Sequence, residues 1–210
     1  MYTSTSGTTK IILADHSEVT LLQGAQLTVE KTFPADTRDV FLKGDALFKV
    51  SKSKEHPFIV HGDGYETKVL GTVFKVSQSE KTFRVDLFEG KVLVYKTGQS
   101  ESPVPLAARQ SFTNYGISKA SAVSATKDTE AVPSKTRSAS LTFSECPIND
   151  AVLVIEKTYG IRLQYGEELR NTKITITVPN ATADEFIQTL AVQLNLNTKK
   201  NNDSSFQLEK

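Results

Sequence analysis

From Lys10 to Tyr115 the chain changes character at short, regular intervals. Runs of β-branched and aromatic residues alternate with Gly, Pro, Asp and charged turn residues. A spacing of about ten residues from one run to the next is the pattern of an antiparallel sandwich or barrel. The runs are Lys10–Ala14, Glu18–Leu22, Gln26–Lys31, Arg38–Lys43, Ala46–Ser51, Phe58–His61, Glu66–Leu70, Val73–Ser77, Thr82–Leu87, Lys91–Lys96 and Ser111–Asn114. Within them the period is two. Ala46-Leu47-Phe48-Lys49-Val50 and Phe83-Arg84-Val85-Asp86-Leu87 each place apolar side chains on one face and polar ones on the other. Phe48, Phe58, Phe74 and Leu87 are expected in the core. No long helix is expected before Pro147.

The pattern then breaks. Ser118 to Ser140 is rich in Ser, Ala, Thr and Lys, and valine is its largest aliphatic residue. Such a segment buries too little surface to offset the entropy of ordering it, so it reads as a linker. Beyond it the grammar is mixed. Leu141–Phe143 reads as a strand, and Ile148, Val152, Ile155 and Tyr159 repeat at helical spacing behind Cys146-Pro147, with Cys146 or a neighbour as cap. Gly160 stops that helix. Ile161–Tyr165 and Lys173–Val178 read as strands. Thr182 with Glu185 makes a capping box for a second helix, whose buried face is Phe186, Ile187, Leu190, Ala191 and Leu194. Leu196–Lys199 and Ser205–Leu208 close the unit as a hairpin. The expectation is two domains: an all-β, jelly-roll-like sandwich over residues 10–116, a linker over 117–140, and a small α+β domain over 141–210 in the order β-α-β-β-α-β-β.

Little in the chain points to chemistry. The formal net charge is +1, so no global field recruits nucleic acid or an anionic membrane. Phe83-Arg84 and Tyr95-Lys96 fit sheet alternation better than base stacking. The single cysteine, Cys146, cannot form an internal disulfide or a thiolate metal site and reads as a small buried apolar residue. His16, His56 and His61 read as turn or surface residues, and His61-Gly62-Asp63-Gly64 as a turn between two strands and not a calcium loop. Nucleophile-elbow, zinc-protease and phosphate-loop motifs do not occur, and no carboxylate pair stands out for acid–base work. Neither a cofactor nor an enzymatic activity is expected. No apolar run is long enough to span a bilayer, and Met1–Thr9 lacks the apolar core of a signal peptide.

Five blocks carry a resemblance. They are Asp15-His16-Ser17-x-Val19-x-Leu21, then Arg38-x-Val40-x-Leu42-x-Gly44-Asp45-Ala46-x-Phe48-x-Val50, then Pro57-Phe58-x-Val60, Val69-Leu70-Gly71-Thr72-x-Phe74-x-Val76 and Glu89-Gly90-Lys91-Val92. In order and spacing they resemble the FecR protein domain of transmembrane anti-sigma regulators. His16 stands where that family usually has Gly, so the turn there is not expected to need a positive φ. Leu106–Gln110 lacks the usual Pro-Gly. The last seventy or so residues resemble the secretin and TonB short N-terminal (STN) modules that follow FecR domains in Bacteroidetes-type regulators. Leu141-x-Phe143, Pro147-Ile148-x-x-Ala151, Tyr159-Gly160-Ile161 and Ala183–Leu194 carry that likeness.

The resemblance implies a periplasmic sensor region of a single-pass inner-membrane protein. Its partner would be the N-terminal signalling domain of a TonB-dependent outer-membrane transducer. An extracytoplasmic-function (ECF) sigma factor would be reached only through a cytoplasmic part, and the membrane only through a transmembrane helix, that these residues lack. For the docking edge, the strand at 161–165 or the final hairpin is expected to serve, which makes Ile161, Leu163, Tyr165, Leu196, Phe206 and Leu208 the candidates. Gly44, Phe48, Pro57, Phe58, Gly71, Thr72, Phe74 and Gly90 match family positions and are expected to be structural. The alternative is a carbohydrate- or ligand-binding jelly-roll module, which would display aromatics on an open face.

Overall fold

In the first unit, Met1–Gly116, period-two patterning becomes a pair of facing sheets. The computed structural model describes residues 1–117, 119–126, 137–202 and 204–209. The strands of this unit are β1 (Tyr2–Thr3), β2 (Thr9–Ile12), β3 (Glu18–Leu21), β4 (Gln26–Val29), β5 (Arg38–Lys43), β6 (Ala46–Lys49), β7 (Phe58–Gly62), β8 (Tyr65–Val69), β9 (Val73–Ser79), β10 (Thr82–Glu89), β11 (Lys91–Lys96), β12 (Gln99–Ala107) and β13 (Gln110–Asn114). One sheet is seven-stranded, in the order β1-β4-β5-β7-β8-β11-β12; in the other, β13-β10-β9-β6-β3-β2 lie side by side. Described neighbours are antiparallel except β5 and β7, which pair in parallel. Phe48 on β6 stacks on Phe74 of β9 at 5.1 Å and meets Phe58 of β7, in the opposite sheet, edge-on at 6.1 Å. These rings and Val19, Leu27, Val40, Val76, Val85 and Leu87 are fully buried, so the expected sandwich core is present.

One strand of this unit escapes sequence reading. Residues 99–107 carry Pro103 and Pro105, which argue against a central strand. The structure resolves the conflict by position, because β12 is the outermost strand of its sheet, where a missing N–H costs nothing.

The second unit, Ile117–Lys210, contains β14 (Ala120–Ala125), β15 (Ala139–Pro147), α1 (Ile148–Tyr159), β16 (Arg162–Gln164), a short 3-10 turn (Glu167–Leu169), β17 (Lys173–Ala181), α2 (Ala183–Leu194), β18 (Asn197–Asn202) and β19 (Ser205–Glu209). Strands β14, β15 and β17 lie side by side, and β16, β19 and β18 form a three-stranded sheet. The expected β-α-β-β-α-β-β order is found, preceded by β14. That strand corrects part of the linker reading, since residues 120–125 pair antiparallel with β15. The physical reason is size. Ala120 and Ala122 are buried against α1, where small side chains let a helix approach closely. Residues 118 and 127–136 of that segment lie outside the described residues.

Helix α1 buries Ile148, Ala151, Val152, Val154, Ile155 and Tyr159. Its cap is Pro147 itself, with no side-chain cap bond, and Cys146 lies buried on β15. Gly160 ends the helix at φ 71°. The buried Tyr159 hydroxyl donates to the Ala181 carbonyl at 2.9 Å, and burial raises its pKa. Helix α2 has the expected capping box. The Thr182 N–H and hydroxyl both bond to the Glu185 carboxylate at 2.8 Å and hold its pKa below the usual value. Leu194, expected on the buried face, is only half-buried.

Candidate interaction surfaces

The first motif block builds a buried charge network. Arg38 points inward from β5 and is 2% exposed. Its Nη1 donates to Asp15 Oδ2 at 2.8 Å and to the Ser51 carbonyl at 2.9 Å, and its Nε donates to the His56 carbonyl at 2.8 Å. The guanidinium lies 5.4 Å from the centre of the Phe58 ring. Asp15 also accepts from the Ser17 hydroxyl at 2.6 Å and the Ser17 N–H at 3.0 Å, while Ser17 Oγ accepts from the Ser51 N–H at 3.0 Å. Three segments distant in sequence are thus fastened around one ion pair. The turn that presents Asp15 needs a left-handed residue, and His16 takes φ 66°. The expectation that a non-glycine residue there avoids positive φ is therefore corrected.

The remaining motif positions contact the chain's own framework. Phe48, Phe58 and Phe74 form the aromatic cluster already described. Pro57 is half-buried, and its carbonyl accepts from the Arg38 N–H at 2.8 Å. Gly44 sits at φ 82°, where a Cβ would lie 3.0 Å from Ala25 Cα. Gly71 sits at φ 150° with room for a Cβ only 2.8 Å from Lys52 Cα, so both conformation and space call for glycine. Thr72 is buried and donates from Oγ1 to the Lys91 carbonyl at 3.1 Å; a Cβ on Gly90 would come within 2.8 Å of that oxygen.

The docking candidates separate into two groups. Ile161, Leu163, Phe206 and Leu208 are buried, with exposures of 7%, 4%, 3% and 3%, so most of their side-chain surface packs inside the unit, although Leu163 and Leu208 reach the wall of a groove. Phe206 and Leu208 also lie on β19, which is the central strand of its sheet and not an edge. This is a correction with a simple cause: β16 adds in parallel to the far side of the last strand, which no local pattern announces. Tyr165 and Leu196 are half-exposed and line a groove of about 670 Å³ with Glu167, Glu168 and Glu209.

A further cluster lies on the outer face of the seven-stranded sheet. Phe41, 42% exposed, stacks on His61 with ring centres 4.7 Å apart. His61 Nε2 is 2.7 Å from Asp39 Oδ1, and its Nδ1 is 3.8 Å from Glu66 Oε1. Asp63 and Gly64, both at positive φ, turn the chain from β7 to β8 beside it. Sequence reading placed most phenylalanines inward and missed this outward one. The signal was available, because alternation along β5 puts residues 39 and 41 on the same face. Among the described residues no group of three His, Cys, Asp or Glu side chains could hold a metal ion.

Residues 1–93 match the model of the family described as FecR protein. The first unit is thus of FecR type over the matched residues. The match ends within β11, so it contains the Asp15–Ser17–Arg38 network, the glycines Gly44, Gly71 and Gly90, and the Phe41–His61 stack. Over its full length the chain shares its fold with two crystal structures of a proposed anti-sigma factor from Parabacteroides distasonis ATCC 8503, at 1.65 and 2.50 Å resolution. Each is 21% identical with a TM-score of 0.55, and the alignments cover 100% of this chain and 98% and 97% of the other chains. No curated protein matches the chain. The likeness to those structures is one of fold and extends beyond the FecR-type residues into the second unit.

Proposed function

We propose that this chain is the periplasmic sensor region of an anti-sigma regulator, which relays a signal from a TonB-dependent outer-membrane transducer to an ECF sigma factor. The observation that carries the reading is the FecR match over residues 1–93 within a chain whose whole length shares the fold of a proposed anti-sigma factor. The coarser part, a regulator acting through protein partners and not an enzyme, has the most support. The relay itself requires a partner that binds two states of the region with different affinity, and no bond-making residues. On this reading the sigma factor meets a cytoplasmic segment and the membrane meets a single helix, neither of which is among these residues. No helix of the described residues is long and apolar enough to cross a membrane.

The test is calorimetric titration of this chain with the isolated N-terminal signalling domain of a transducer encoded beside it. Saturable binding supports the relay. A folded chain that binds no neighbouring signalling domain refutes it. One observation favours the ligand-binding alternative: the exposed Phe41–His61 stack beside Asp39 and Glu66 on an open groove. Saturable saccharide binding abolished by Phe41→Ala would move the reading there.

A further inference from the structure

Three strands of the second unit, β16, β17 and β18, have a strand on one flank only. A bare strand edge is a row of N–H and C=O groups that pairs with another chain unless something covers it. On two of these edges a helix side chain bonds one backbone group. On β16 the Arg162 N–H is used toward β19, donating to the Ser204 carbonyl at 2.8 Å. Alternation turns the Leu163 N–H to the opposite flank, where it donates to Glu156 Oε1 of α1 at 2.9 Å. On β17 the Thr175 carbonyl accepts from the Gln193 side-chain amide of α2 at 3.2 Å, and the strand carries Pro179, which has no N–H to offer.

Strand β18 is different. All of Asn197–Asn202 is exposed, and among the described residues no helix side chain bonds to its backbone. Its composition also selects what can pair with it. Asn-Thr-Lys-Lys-Asn-Asn holds two lysines and no acidic residue. Lys200 is already engaged, with its Nζ 2.5 Å from Asp184 Oδ1 and 5.1 Å from the centre of the Phe206 ring. Alternation sends Lys199 to the other face, opposite the uncharged Gln207 of β19. A second copy of β18 paired antiparallel would bring lysine against lysine, which opposes self-association. A strand carrying Glu or Asp would place a carboxylate beside Lys199.

We propose that β18 accepts an extended acidic segment of a partner protein as an added strand, with Lys199 facing a partner carboxylate. The backbone supplies the pairing, and the lysine supplies the choice of partner and opposes a second copy. This inference rests on the reading that the second unit docks a protein partner. It moves the dock from the buried residues of β16 and β19 to the flank in this group that, among the described residues, receives no bond from a helix side chain.

The experiment is an NMR titration of the isotope-labelled full chain with a short blocked peptide in which Glu alternates with Val and Thr. The controls are the same peptide with Lys for Glu, and the acidic peptide N-methylated at alternate residues. Amide shifts centred on residues 197–202, seen with the unmethylated acidic peptide alone, are expected. Lys199→Glu should weaken binding about tenfold or more while leaving the rest of the spectrum in place. Shifts centred elsewhere, equal response to the basic or N-methylated peptide, no response, or self-association through β18 would each overturn the proposal. The two readings fail separately. A transducer domain that binds Lys199→Glu as well as it binds the native chain removes the β18 dock and leaves the relay. Acidic-peptide pairing without transducer binding does the reverse.

Discussion

Replacing Arg38 by Ala tests whether the first motif block is a buried electrostatic fastening. The Arg38 and Asp15 side chains are 3% and 8% exposed, so solvent screens the pair poorly. The substitution leaves the Asp15 carboxylate buried with only the Ser17 N–H and hydroxyl, and strips donors from the Ser51 and His56 carbonyls. Breaking one side of a buried pair costs about 3–5 kcal/mol, chiefly because the surviving charge is stranded. The two carbonyls lose hydrogen bonds worth about 1 kcal/mol each, part of the same total. In a unit of this size that lowers the midpoint of thermal unfolding by roughly 10–20 °C. The chain has no Trp, so far-UV circular dichroism with calorimetry is the suitable assay, and NMR assigns the transition to the FecR domain. The double variant Asp15→Asn with Arg38→Met should recover at least half of the loss, because it removes both charges and keeps an apolar stem against Phe58. If Arg38→Ala costs less than about 1 kcal/mol, the pair is not effectively buried. If the double variant is as unstable as the single changes added together, stranded charge is not the cause.

Three further outcomes follow from local geometry. Thr182→Ala removes the side-chain half of the α2 capping box and should destabilise the second unit by about 1 kcal/mol, measured by denaturant unfolding. Gly71→Ala forces a Cβ against Lys52 Cα and should cost more than about 1 kcal/mol, with the FecR domain unfolding earlier in a thermal scan. The Cys146 thiol is pushed up to about 11, first by burial and then by Asp150, so it should resist a disulfide reagent at neutral pH until the chain is unfolded. The folded chain keeps that proton where the unfolded chain releases it, so the thiol's contribution to stability should be full below pH 9 and fall as pH rises toward 11. Cys146→Ala should flatten that part of the alkaline limb. The part between pH 10 and about 12 should remain, since burial and Asp63 raise Tyr65 in the same direction.

Much of the fold was legible because its rules are local. Alternation identifies Phe48, Phe74, Val85 and Leu87 as inward-facing without knowledge of the neighbouring strand, since a pleated strand sends successive side chains to opposite faces whatever it pairs with. The Thr182–Glu185 box and Gly160 mark helix ends for the same reason: an end is satisfied by residues within a few positions. Strand β14 was not legible, because its alanines look like linker until a helix is known to lie on them. Strand β12 was hidden by prolines that only an outermost position tolerates.

Which residues turn inward, where the helices begin and end, and the FecR character of residues 1–93 are written in periodicity and spacing, which are properties of neighbours along the chain. Partners across the chain come from the three-dimensional fold. It set Arg38 against Asp15, 23 positions away, and it made the last strand central by adding β16 in parallel beside it. It also brought Glu156 and Gln193 to one backbone group on each of two strand flanks while leaving β18 exposed. These choices come from long-range pairing, in which each backbone edge is satisfied by whatever the fold brings alongside, and no local pattern records which group that will be.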